Sequence, residues 1–367
     1  MYIYLDNSSL QKPKQEIVDL MNDIYISSWF NPNSIYQNGI ESKKKIEQTK
    51  QLISNEINCN PEELIFCSCG SECNSLATCG YIRANNLDFF ITSTIEHVSI
   101  AENPYSRKVI TVDNYGFLNM DDIKNTHNSL VSIQMANSEI GTVQKNFKKI
   151  VEILHNNNCI VHTDAVALFG KEKIDVHELG VDMLTATAQK IGGIIGGAFL
   201  YKKDNIKLEP LIFGHNTERG GTPNVAAIAS MGLALQSINY SSISSEIRDY
   251  VYNYIMNNIP DSYLIGAPIG DKRLPHNLYM CFKGVEGESL MMLLDMNGIE
   301  VSTGSACSSG SLQPSSALVA IGMNKEDIHS CIRMSFSGNE TEFDIDYVCY
   351  KLKECVEKLR GLGDENE

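Results

Sequence analysis

Positive charge is scarce in this chain. Its 30 Lys and Arg stand against 45 Asp and Glu, a formal net charge of −15, and an acidic surface of that size argues against nonspecific binding to nucleic acid or to an anionic membrane. No apolar run approaches the ~20 residues that a bilayer span requires. The start MYIYLDNSSL lacks the basic stretch and apolar core of a secretory signal, so none is expected. A phosphate-cradling GxxxxGK(S/T) loop is missing, and Gly192-Gly193-Ile194-Ile195-Gly196-Gly197 is not a GxGxxG opening a helix after a strand. That glycine cluster reads as a flexible turn between two strands. The 11 cysteines are odd in number and lack the spacing of a disulfide framework, which points to reduced thiols and a cytoplasmic protein. Four of them crowd into Cys67, Cys69, Cys73 and Cys79 without the second pair or histidines that a metal site needs. They read as small core or turn residues, and no metal is expected.

What is present suits a globular protein with a sizeable core. Hydrophobic residues make up 43% and charged residues 20% of 367, and no internal repeat stands out. Short apolar runs alternate with helical patterns. Lys12 to Tyr25 and Ile40 to Ile57 read as helices on either side of the breaker Asn31-Pro32-Asn33-Ser34. Strands are expected at Leu64-Ile65-Phe66, Phe89 to Thr92, Leu130 to Ile133, Cys159 to His162, Met183-Leu184 and Ala198 to Tyr201. A small-residue helix begins near Glu72, a crossover helix covers Lys148 to Asn156, and longer helices lie near Asn224 to Leu235 and Ser244 to Met256. Strands separated by helices imply right-handed βαβ units and a mostly parallel sheet, an α/β fold. From about Tyr263 the pattern changes to a smaller α+β unit, with strands near Asn277 and Ile332 to Ser335 and a last helix near Phe343 to Leu359.

Sites in open α/β sheets gather at the carboxyl ends of strands, and polar clusters follow each apolar run. Asp164 ends one strand, and a carboxylate there is costly to desolvate without a cationic partner. Lys190 follows the next strand, where its amine could form a Schiff base with an aldehyde cofactor such as pyridoxal phosphate (PLP). That cofactor also needs an acid for its pyridine nitrogen and a flat side chain against its ring, which Asp164 and His97 could supply. Gly70-Ser71-Glu72 offers backbone N–H groups to a phosphate. Each of these residues taken singly could be structural; the order Gly-Ser, His, Asp, Lys, each after its own strand, is harder to dismiss. Cys307 lies in a Ser/Gly-rich stretch, Ser302 to Ser311, that suits a nucleophile on a mobile loop or an incidental cysteine in a linker. Arg333 lies on a short strand, where its fork could hold a substrate carboxylate or make an ion pair.

With these residues in view, the sequence resembles the cysteine desulfurases of the NifS/IscS type, PLP enzymes of the class-V aminotransferase family. The likeness runs over nearly the whole chain: Tyr4-Leu5-Asp6-Asn7, Asn31 to Ser34, Phe66 to Glu72, Glu96-His97, Asn137 to Gly141, His162 to Ala165, Lys190, Gly221-Thr222, Gly304 to Cys307 and Ile332 to Ser335. The long stretch from Cys307 to Ser315 resembles the group I branch. The resemblance implies a fold-type I PLP enzyme with a mostly parallel seven-stranded sheet, a large domain over 15–255, a small α+β domain from 1–14 and 256–367, and a homodimer. It implies Lys190 as the Schiff-base lysine, Asp164 on the pyridine nitrogen and His97 on the ring. Gly70, Ser71, Thr187 and Gln189 would hold the cofactor's phosphate, joined by Thr222 of the neighbouring subunit. Ser138 stands near the cofactor's 3′-oxygen, and Arg333 and Asn33 would bind L-cysteine. Cys307 would take the sulfur as a persulfide, leave alanine, and pass the sulfur to an acceptor protein that the sequence does not name.

Three positions depart from the family's pattern: Gln189 replaces a His, Ser138 an Asn and Ala167 a Gln. The stretch Glu218 to Thr222 is also about three residues short, which displaces or removes an arginine. A lost hydrogen bond to a charged group is worth about 1.5–3 kcal/mol, so these changes would loosen PLP without removing its covalent anchor. A selenocysteine lyase or related β-elimination enzyme fits the same residues, as does a divergent protein kept as a scaffold.

Overall fold

A computed structural model of the chain describes residues 2–214, 218–238, 240, 245–304 and 314–364. Strand β1 (Ile3–Tyr4) opens it. Seven strands then form one sheet: β2 (Leu64–Cys67), β3 (Phe90–Ser93), β4 (Ser106–Ile110), β5 (Leu130–Ser132), β6 (Ile160–Asp164), β7 (Met183–Thr187) and β8 (Ala198–Lys202), in the order β2-β8-β7-β6-β5-β3-β4. Its central strands β5 and β7 are buried along their whole length, as a sheet covered on both faces requires. Neighbours from β4 to β7 run parallel, whereas β8 runs antiparallel to both β7 and β2. The reason is the connection: residues 188–197 are too few for a crossover helix, which takes about a dozen residues. Edge strand β4, with the sequence SRKVI, was not anticipated, because its three central residues are exposed and charged or apolar without the alternation that marks a half-buried strand.

The expected helices form close to their places, at Gln15–Ser27, Gln37–Ile57, Phe147–Asn156, Val225–Gln236 and Ser245–Asn258. Helix Phe147–Asn156 buries Phe147, Ile150, Val151 and Leu154, the spacing of a single helical face. Helix Val225–Gln236 is apolar almost all round because helices Gln15–Ser27 and Gln37–Ile57 cover it on the side away from the sheet. Within the sheet His162 bonds Ser132 on one side and Thr185 on the other, at 2.8 and 3.0 Å. Burial pushes its pKa down to about 3, so this imidazole is a neutral cross-strand tie.

A second sheet, β9 (Ser262–Leu264), β10 (Asn277–Phe282) and β12 (Cys331–Ser335), is antiparallel in the order β12-β10-β9. Helices Gly287–Met296 and Glu342–Asp364 pack on it with Ser245–Asn258, and Val251, Leu278, Met280, Ile332 and Leu352 fill the core between them. The chain's start joins this smaller unit: β1 pairs in parallel with β11 (Ile299–Glu300), and Leu5 accepts the Ser335 N–H at 2.7 Å. The segment after β1 is thereby carried over the carboxyl edge of the large sheet. No helix among the described residues is long and apolar enough to cross a membrane.

Candidate active site

Sheet register gathers the strand-end residues. Thr187 and Cys67 both pair with Ala198, so β2 and β7 finish at the same edge, and Asp164 of β6 pairs with Thr185 one strand over. Helix Gly70–Ser75 starts just past β2. Glycine at position 70 lets that helix approach β7, since a Cβ there would lie 2.9 Å from the Thr187 methyl.

Asp164 is buried, and no cation neutralises it among the described residues. Instead its Oδ1 accepts the Val166 N–H at 2.9 Å and its Oδ2 accepts Asn74 Nδ2 at 2.8 Å. Two directed N–H bonds thus take the place of the expected positive partner. Asn74 also donates to Ser99 Oγ at 3.0 Å, and Ser99 Oγ lies 2.8 Å from His97 Nδ1. A continuous relay therefore joins His97 to Asp164 through Ser99 and Asn74. The His97 ring also accepts the Ser99 N–H at 3.2 Å and caps helix Val98–Ala101, which assigns the acceptor role to Nδ1 and leaves Nε2 as the proton-bearing nitrogen.

Lys190 sits on the 3₁₀ turn Ala188–Lys190 directly after β7. Its Nζ donates to the carbonyl oxygens of Ser8 and Ser9 at 2.5 and 2.6 Å. Ser9 links the lysine to Arg333, whose guanidinium is buried and donates to Ser9 Oγ at 3.0 Å and Asp6 Oδ1 at 2.7 Å. A further nitrogen donates to the Ser138 and Gly304 carbonyls at 3.2 and 3.4 Å. The ion pair of Arg333 is thus interior, and it is the backbone of Ser138 that serves it. Glu139 lies beside this cluster. Burial raises its carboxyl, against hydrogen bonds from Ser315 and Tyr279 and the charge of Arg333. Gly304, at φ +98°, closes on Tyr279: a Cβ there would collide with the Tyr279 hydroxyl, which donates to the Thr303 carbonyl at 2.9 Å. Cys307, three positions on, lies outside the described residues.

The shortened stretch before Thr222 keeps its arginine in use. Arg219 Nε donates to Glu72 Oε1 at 2.8 Å, and Glu72 Oε2 accepts the Ser68 N–H at 2.8 Å. Burial works to raise the Glu72 carboxyl, but Arg219 and Ser68 outweigh it and hold it low. Thr222 and Asn33 are both exposed, and they line a cleft of about 340 Å³ with Ser68 and Arg219. None of the hydrogen bonds described ties this cleft to the Arg333 cluster. Ser71 is exposed at the first turn of its helix.

A family model described as aminotransferase class-V matches residues 3–348. The cysteine desulfurase IscS of Clostridium botulinum is 35% identical over 381 aligned positions, covering 98% of this chain and 96% of that protein. The chain belongs to the class-V aminotransferase family. In three dimensions it is similar to a NifS-like protein, with a TM-score of 0.88 and 26% identity over 98% of this chain and all of the other. A structure of SspA in complex with cysteine is similar at a TM-score of 0.79 and 25% identity, over 92% of this chain and all of the other.

Within this class-V aminotransferase chain, several site residues carry no local signal. Asn74 and Ser99 become recognisable only when the sheet closes. A hint was available for Asp6 and Ser9, a polar run directly after an apolar strand. Glu96, next to His97 in the sequence, is buried, accepts Ser93 Oγ and the Gln134 N–H at 2.5 and 3.1 Å, and leaves Oε2 with no partner. Burial, with the charge of Asp164, pushes its pKa up to about 8. Cys67 and Cys73 are buried, and no cluster of metal-ligating side chains occurs among the described residues.

Proposed function

We propose that this protein is a PLP-dependent cysteine desulfurase, converting L-cysteine to L-alanine with the sulfur taken by Cys307. The observation that carries the reading is Lys190, on the turn after β7, next to buried Arg333 and one strand from buried Asp164. The cofactor fits the residues present. The Thr187 hydroxyl and Arg333 Nε are buried with no partner, two unmet donors where a phosphate and a substrate carboxylate would be held. The close approach at Gly70 leaves backbone N–H groups, with Ser71 and Thr187, for the phosphate.

When bound, PLP supplies an electron sink that weakens the Cβ–S bond of an attached amino acid. Lys190 supplies the primary amine that holds the aldehyde. Asp164, locked by Asn74 and Val166, would meet the pyridine nitrogen. His97, oriented by Ser99, presents Nε2 for proton movement. Arg333 binds the substrate carboxylate, with Asp6 and the Ser138 carbonyl fixing its plane in advance. The thiolate of Cys307 takes the substrate sulfur, forming an S–S bond as the C–S bond breaks, and alanine departs after a proton is added to carbon.

The active form is a homodimer. Between the first two helices, Trp29 stacks on Phe30 at 4.7 Å and Phe30 meets Tyr36 edge-on at 6.2 Å, yet Trp29 and Ile35 are 66% and 95% exposed. This apolar ridge adjoins the Asn33 and Thr222 cleft, and the family resemblance has Thr222 completing the neighbouring subunit's phosphate site. A second copy of this chain covers the ridge.

Purified protein incubated with PLP and L-cysteine should form alanine in step with sulfide under reductant, and without reductant should carry one extra sulfur on Cys307 by mass spectrometry. Protein that retains no PLP, or that forms alanine with Cys307 replaced by Ser at an unchanged rate, would overturn the reading. L-Selenocysteine run in parallel measures the preference between the two substrates.

A further inference from the structure

Behind the Lys190 turn, on the side of the β1 segment, lies a second cavity of about 750 Å³ where the small unit meets the large sheet. Residues from five separate stretches line it, and no step of the reaction above uses it. Its polar groups are unbalanced. Lys171 on the wall is half-buried, and its amine has no hydrogen-bond or ion-pair acceptor among the described residues. Gln11, also half-buried on the wall, donates its side-chain amide to nothing described, and Lys12 stands at the rim. The carboxylates present are committed elsewhere. Glu340 accepts the Ser337 and Gly338 N–H groups at 2.7 and 2.9 Å, and Asp344 accepts Thr341 N and Oγ1 at 2.9 and 2.7 Å. Opposite these polar groups the wall is apolar, made by Ile17, Ile191 and Phe336.

Donors without acceptors, one of them a half-buried cation, beside an apolar wall define a ligand class: an anionic head with a hydrocarbon tail. We propose that this cavity binds a small organic carboxylate, with Lys171 and Gln11 on the carboxylate and Ile17, Ile191 and Phe336 on the tail. Burial and the neighbouring charge of Lys190 pull the Lys171 pKa down to about 8, and a bound carboxylate would supply a counter-charge.

Octanoate is the probe, titrated calorimetrically into the purified protein, with acetate as the tail-less control. Octanoate should bind one-to-one, and acetate at least about tenfold more weakly. Lys171→Met should weaken octanoate at least about tenfold, the equivalent of one charge-assisted hydrogen bond. A second measurement needs no variant: labelling of wild-type protein with acetic anhydride near pH 8, mapped by mass spectrometry, should fall severalfold at Lys171 alone when octanoate is present. Both readouts are independent of PLP and turnover. Absence of saturable octanoate binding, binding that survives Lys171→Met, or labelling of Lys171 unchanged at saturating octanoate would overturn the proposal.

Discussion

At the scale of single residues, charge placement divides the site into two halves. Asp164 is held by N–H donors alone, whereas Arg333 is held by a carboxylate and two backbone carbonyls. Two predictions belong here. Lys190→Ala should yield folded protein with an unchanged far-ultraviolet spectrum but without the borohydride-sensitive visible absorption of lysine-bound PLP; retained borohydride-fixed PLP would move the anchor elsewhere. Arg333→Lys keeps a charge but loses the fork that serves Asp6 and Ser9 and, in the proposed function, the substrate carboxylate. It should raise KM for L-cysteine about tenfold or more, since one charged hydrogen bond is worth roughly 1.5–3 kcal/mol. An equal loss in kcat with KM unchanged would place Arg333 in positioning the fold instead.

At the scale of elements, the site is built where strand ends are tied to the helices that follow them. The relay from His97 through Ser99 and Asn74 to Asp164 spans three such connections, so Asn74→Ala should change the pH profile of turnover as well as its size. A change in size alone would reduce Asn74 to a packing role. Glu96 gives a stability test with a definite sign. Its folded pKa of about 8 lies above the ordinary 4.5, so the folded protein binds the extra proton between those values. Folding stability from this group is therefore highest below pH 4.5 and is lost as pH rises through 8. Glu96→Gln keeps the acceptor for Ser93 and Gln134 and removes that slope. The variant should gain stability relative to wild type between pH 5 and pH 9 in urea titrations; a pH-independent difference would contradict the assignment.

At the scale of the whole molecule, the two ends of the chain meet over the large sheet. Asp6 and Arg333 are 327 positions apart, and both lie in the smaller unit, so any movement of that unit carries Arg333 relative to Lys190. Removing one partner of a buried ion pair costs about 3–5 kcal/mol, which makes Asp6→Ala a variant expected to lose stability by a large part of the whole. The apolar ridge at Trp29 and Ile35 gives the test of assembly. If a second copy covers the ridge as proposed, Ile35→Glu should shift the sedimentation coefficient from dimer to monomer and reduce PLP retention. A dimer that survives the charge would place the interface elsewhere.

Local pattern determined much of this protein. Helix Phe147–Asn156, the buried strands from Leu130 to Tyr201 and the succession of Gly70-Ser71, His97, Asp164 and Lys190 at strand ends could be read directly, because periodicity and the position of a polar residue after an apolar run are properties of neighbours in sequence. Tertiary structure alone decided the antiparallel course of β8, the Arg219–Glu72 tie, the amide pair that stands where a cation was expected beside Asp164, and the engagement of Lys190 with Ser8 and Ser9. Each of these depends on which surfaces are left to be covered once the sheet has closed. A buried polar group takes whichever partner the packing brings within reach, and no spacing along the chain specifies that partner.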